Sequence, residues 1–150
     1  MRRITLMALV GFVFALTAGP VAADQVYHTE RLALVPVGSA AGSGMVVNIH
    51  PNGPQRYAIE QYQLRHADAG AVYQVWLHLY LGANDCSGAP AASLPTAQIR
   101  TNTRGNGTAQ LVLTPGDVAG LRGLSFPISW SVTQGGTTTH VTGCTIVTLD

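Results

Sequence analysis

Beyond an apolar N-terminal stretch, hydrophobic and polar positions alternate along the chain with a period of two. Residues 73–81 show it most cleanly. Tyr73, Val75, Leu77, Leu79 and Leu81 share one side, and Gln74, Trp76, His78 and Tyr80 share the other. Successive side chains of a strand point to opposite faces, so this run predicts a half-buried β-strand. Residues 56–66 alternate in the same way, with Ala58, Glu60, Tyr62, Leu64 and His66 on one face. Two earlier strands are predicted over 32–37 and 45–49. Segments 97–103 and 108–114 flank Arg104-Gly105-Asn106-Gly107, whose Asn-Gly pair tolerates the positive φ of a tight hairpin turn. Segments 126–133 and 137–149 flank Gly135-Gly136, a second hairpin. About eight strands spaced by turns predict an all-β, antiparallel sandwich or barrel. The only helical candidate is a short turn from Thr114-Pro115-Gly116-Asp117 to Leu121, and segments 51–54 and 83–95 read as loops. Pro36 and Pro127 mark edges or bulges, because proline cannot donate to a central ladder.

The N-terminus follows a different logic. Met1-Arg2-Arg3 is basic, residues 4–18 are apolar apart from Thr5 and Thr17, Gly19-Pro20 breaks a helix, and Val21-Ala22-Ala23 offers small residues before a cut. That three-part pattern predicts a signal peptide over 1–23 and one β-domain over 24–150. The stretch is shorter than the about 20 apolar residues a membrane span needs. The first cysteine is Cys86, so no lipid acceptor follows the cut. The expected product is secreted, extracellular or periplasmic, and does not insert into a membrane after signal cleavage.

Composition supports export and removes one class of partner. Charged residues make up 10% of the 150, well below the roughly 25% of an ordinary soluble domain. The net charge is +1, with eight arginines and no lysine. Without Arg2 and Arg3, six arginines face seven acids, which leaves no electrostatic footprint for nucleic acid. The two cysteines, Cys86 and Cys144, are expected to pair in an oxidising compartment. That bond would close a loop of roughly 59 residues and restrict the unfolded chain by about 4 kcal/mol.

Candidate chemistry is sparse. The histidines are His28, His50, His66, His78 and His140, and none forms H-x-H or H-E-x-x-H. A metal-binding protein or metalloenzyme using His50, His66, His78 or His140 would need the fold to bring them together. Gly42-Ser43-Gly44 is not a nucleophile elbow, the acids are scattered, and no phosphate-cradling loop is present. No catalytic, cofactor-binding or metal-ligating residue is therefore assigned. Trp76, His78 and Tyr80 project from one strand face with Gln74, and Glu60 and Tyr62 are expected beside them on the preceding strand. Aromatic rings flanked by polar groups suit a sugar ring or a partner protein. The alternative is that this face is covered by the fold.

Four stretches carry a resemblance: 45–54 (Met-Val-Val-Asn-Ile-His-Pro-Asn-Gly-Pro), 73–77 (Tyr-Gln-Val-Trp-Leu), 105–109 (Gly-Asn-Gly-Thr-Ala) and Gly143-Cys144. In this strand-and-turn grammar the chain resembles small exported bacterial β-sandwich proteins of unassigned function. The resemblance implies a Greek-key, immunoglobulin-like sandwich and carries no catalytic residue to transfer. Copper-zinc superoxide dismutases share that architecture and one disulfide, but their closely spaced histidine pairs are missing here. The expectation is an exported, non-enzymatic binding or structural module whose partner is a protein or a glycan. The alternatives are a histidine-dependent metal protein and a carbohydrate-binding module.

Overall fold

Sustained alternation becomes strand almost everywhere. The computed structural model describes residues 28–51, 56–81, 85–121 and 123–149. The signal peptide expected over 1–23 and most of the loop expected at 51–54 lie outside them. The strands are β1 (His28–Pro36), β2 (Ser43–His50), β3 (Ala58–Arg65), β4 (Val72–Leu79), β5 (Ala92–Arg100), β6 (Gly107–Leu113), β7 (Leu124–Gln134), β8 (Thr137–Val141) and β9 (Thr145–Leu149). One 3-10 turn, Ala119–Leu121, follows β6 and answers to the short turn expected there.

All pairings are antiparallel, and they form one continuous sheet in the order β5-β4-β7-β8-β1-β2-β3-β6, with β9 also on β7. β1 makes it continuous. Its first seven residues pair with β2, and its last two, Val35 and Pro36, pair with Val141 and His140 of β8. The sheet thereby curls into a near-barrel whose two ends, β5 and β6, follow one another in the chain.

Two boundaries differ from the sequence pattern for local reasons. The strand expected over 137–149 is two strands, because the chain leaves the ladder at 142–144. There Thr142 N–H donates to the Trp130 carbonyl at 2.9 Å, and Trp130 N–H donates to the Thr142 hydroxyl at 2.9 Å. The strand count is therefore nine among the described residues, and β7 pairs with β8 along one half and β9 along the other. β5 starts at Ala92, so the end of the expected loop is strand. Pro95 is tolerated there because β5 ends the ladder and a bulge between Val75 and Trp76 lies opposite.

The inward positions form cross-strand rows. Leu32, Val46, Tyr62 and Ala109 lie in register across β1, β2, β3 and β6, as do Glu30, Asn48, Glu60 and Leu111. The interior is filled by Leu34, Val46, Tyr62, Leu64, Tyr73, Val75, Ile99, Trp130 and Val132, all at most 1% exposed. Each aliphatic side chain buried this way contributes about 1.5–3 kcal/mol.

One end of the near-barrel is closed by backbone. The Asn102 side-chain oxygen accepts from Arg104 N–H at 2.8 Å and Asn106 N–H at 3.1 Å, and its carbonyl accepts from Gly70 and Gly105. The expected Asn-Gly turn works differently from its sequence signature. The left-handed residue is Gly105, at φ 73°, whereas Asn106 contributes its side chain as acceptor for His66 N–H at 3.1 Å. A Cβ on Gly105 would lie 1.9 Å from the Ala67 carbonyl oxygen. The flanking strands do not pair with each other in the ladder but go to its opposite ends. The Gly135-Gly136 hairpin forms as expected, with both glycines at positive φ.

Cys86 and Cys144 are joined, with Cα atoms 5.6 Å apart. Cys144 lies in the break just before β9 rather than inside the last strand. The bond therefore ties the β4–β5 connection across β7 to the β8–β9 break.

Candidate functional site

At the end opposite the Asn102 closure, the interior does not fill. A cavity of about 380 Å³ lies between β2, β3, β4, β5, β6, β7 and β9. Its walls are mostly aliphatic and aromatic: Leu77 and Leu79 of β4, Leu94 and Pro95 of β5, Leu111 and Leu113 of β6, Phe126 and Ile128 of β7, and Val147 and Leu149 of β9. Val118 and Leu121, on either side of the start of the 3-10 turn, add to the wall, and Val118 packs on Tyr57 and Ala58. Asp117 holds that segment by accepting from the Thr114 N–H at 2.7 Å and the Thr114 hydroxyl at 2.8 Å. These bonds hold its carboxyl below the usual range.

Asn48, His50, Tyr57 and Glu60 bring polar atoms to this wall. They arrive by strand phase: Asn48 and His50 alternate with the outward Val47 and Ile49, and Glu60 lies between the inward Ala58 and Tyr62. Asn48 and Glu60 are directly opposed across the β2–β3 ladder. The Glu60 Oε2 accepts the Tyr62 hydroxyl and the Trp130 indole N–H, the latter at 3.0 Å. Glu60 is 3% exposed, and burial pushes its carboxyl above the ordinary value of 4.5 against the pull of those two donors. Burial, and next the Glu60 charge, push the Tyr62 phenol upward. Asn48 Nδ2 and His50 Nε2 are 2.8 Å apart, and the His50 ring packs edge-on against Tyr57 at 5.7 Å.

The outward face singled out from the sequence exists, but its polar atoms are in use. Trp76 Nε1 donates to the Thr133 hydroxyl at 3.2 Å, and Tyr80 OH lies 3.3 Å from the Ser129 hydroxyl. His78 bridges Ser93 at 2.7 Å through Nδ1 and Ser131 at 2.8 Å through Nε2, and partial burial lowers its pKa. Glu60 and Tyr62 are not beside these residues. β3 pairs with β2 and β6, and both side chains point inward.

The fold does not gather the histidines. His50 lines the cavity, His66 is exposed beside the Asn106 turn, and His78 is on the outer face. His140 is fully buried against Tyr73 toward the closed end, where burial lowers its pKa. His28 is opposite His50 in the β1–β2 ladder. Among the described residues no group of three or more histidine, cysteine or acidic side chains could hold a metal ion. No described helix is long and apolar enough to cross a membrane.

Sequence reading missed Asn48 and placed Glu60 on the wrong surface. The available signal was a polar residue at an inward phase of an otherwise apolar strand face. Comparison of this chain with protein-family models, with curated proteins and with solved structures finds no match.

Proposed function

We propose that this protein is an exported, non-enzymatic binding module whose interior cavity holds a small, largely apolar molecule. The cavity carries this reading. Ligand sites are typically concave, mostly apolar and about 300–1,000 Å³, with a few polar groups that fix orientation. A cavity of about 380 Å³ with aliphatic walls and one polar patch fits that description. Export is supported by the N-terminal pattern and by the paired cysteines. A Greek-key, immunoglobulin-like relationship is supported by the path of the chain: β4, β5 and β6 follow in turn, and β6 returns beside β3. The outer Trp76–His78–Tyr80 face is the weaker candidate for a glycan or protein partner, since its polar tips are already bonded within the sheet.

The test is saturable binding of a neutral lipophilic dye, N-phenylnaphthylamine, followed by its fluorescence. Leu111 lies on the cavity wall directly opposite Glu60 in the β3–β6 ladder, so Leu111→Trp fills the space. Wild type is expected to bind one dye per chain, and Leu111→Trp to bind at least tenfold more weakly while keeping its near-ultraviolet circular dichroism. Equal binding by the two folded proteins, or no saturable binding by wild type, overturns the reading.

A further inference from the structure

With the cavity taken as a ligand site, a reading on which the head-group assignment rests, the polar patch limits what that head group can be. Both donors reaching Glu60 converge on Oε2, which marks that oxygen as the acceptor. Oε1 makes no hydrogen bond among the described residues, and the proton of a neutral carboxyl belongs there. Opposite it, Asn48 is 2% exposed and spends one end of its amide on His50 at 2.8 Å, while Oδ1 has no partner. If the amide is turned over, Nδ2 is the end left over, so one polar atom of Asn48 stays unsatisfied either way. A buried polar atom without a partner is unfavourable, and a bound ligand or water relieves that cost. The titratable groups around Glu60 are Glu30 of β1 beyond Asn48, His50 of β2, Tyr57 and Tyr62 on the β3 side, and Asp117 at the wall. Among the described residues no arginine lines the cavity.

We propose that the Glu60–Asn48 pair binds the hydroxyl of a small apolar alcohol or phenol, with the Glu60 carboxyl donating to the hydroxyl oxygen and Asn48 Oδ1 accepting its hydrogen. Asn48 and Glu60 are directly opposed across the β2–β3 ladder and both line the cavity, so their side chains leave neighbouring points of the same wall. A hydroxyl is donor and acceptor in one atom and adds no charge to an apolar cavity. An ammonium head would need the Glu60 carboxylate and would leave the Asn48 oxygen as a second acceptor, so it is the competing outcome.

The experiment compares octanol, octane, octylamine and octanoate by calorimetry on wild type, Glu60→Gln, Asn48→Leu and Leu111→Trp. Octanol is expected to bind wild type, and the octanol-to-octane preference to fall about fivefold to tenfold in Asn48→Leu, as one lost neutral hydrogen bond implies. Glu60→Gln should keep the preference, because its amide N–H replaces the carboxyl O–H. A second readout does not depend on whether Asn48→Leu folds. The infrared carbonyl band of a protonated Glu60, identified by its loss in Glu60→Gln, should shift with octanol and not with octane. Tightest binding of octylamine, lost in Glu60→Gln, overturns the hydroxyl assignment and leaves the cavity as a ligand site. An octanol-to-octane preference unchanged in folded Asn48→Leu, or no protonated-carboxyl band, does the same. If no probe saturates wild type, the cavity reading and the hydroxyl assignment fall together.

Discussion

Glu60→Gln isolates the protonation of a buried carboxyl by its effect on stability. In the fold the carboxyl is surrounded by apolar wall and bonded only to neutral donors, and burial raises its affinity for a proton above the ordinary value of 4.5. The sign follows from linkage. A group whose pKa is raised on folding contributes stability that is fully present below its unfolded pKa and is lost as pH rises to the folded pKa. Wild type should therefore lose stability relative to Glu60→Gln from about pH 4.5 upward. One proton gives a limiting slope of about 1.4 kcal/mol per pH unit between the unfolded and folded pKa, and no further difference beyond the folded one. Glutamine keeps an oxygen for Tyr62 and Trp130 and does not titrate, so the polar contacts survive while the pH dependence disappears. The other ionisable groups, including His50 and His140, are common to both proteins and cancel to first order in the difference. Urea unfolding of the oxidised segment 24–150 across pH 4 to 8 measures it, with m-values checking that the transition is the same. Parallel stability curves for the two proteins would refute the reasoning, because Glu60 would then titrate in the fold as it does unfolded.

Two further predictions concern the scaffold. Replacing both Cys86 and Cys144 by serine should cost about 4 kcal/mol at the urea midpoint, reduced by any native strain released. A loss below about 1 kcal/mol would mean the bond does not constrain the unfolded chain as the loop-closure model requires. Gly105→Ala should destabilise by about 2 kcal/mol or more, since its φ of 73° and a Cβ 1.9 Å from the Ala67 oxygen disturb the Ala67–Gly105 hydrogen bond. A chemical-unfolding difference under about 0.5 kcal/mol would show that the closed end relaxes freely.

Local pattern is a good guide to strands because the side-chain period of a strand is a property of the backbone itself. The inward face of β4 and the division of β3 into two faces were therefore readable from alternation, and so were the Gly135-Gly136 turn and the pairing of the two cysteines. The Asn106-Gly107 signature located a turn correctly but not its mechanism. The left-handed residue and the partner of the Asn106 side chain depend on Ala67 and His66, some 40 residues away. Thr142 interrupts the last alternating run for a similar reason, since its partner is Trp130.

Which strands become neighbours is decided by long-range closure. Alternation says that Glu60 and Tyr62 share a face, but not whether that face meets solvent or core. Beside β4 they would have joined Trp76 on the surface. Between β2 and β6 they meet Asn48 and Trp130 in the interior. The sequence by itself determined the strand class and the disulfide, because each rests on nearby residues or on a single pair of residues. Only the tertiary structure decided that β1 bridges two partners, that the sheet curls with an unfilled end, and that a buried carboxyl stands opposite an unsatisfied amide. These depend on register between segments far apart in the chain, where packing of the whole interior, rather than any local preference, selects the partner.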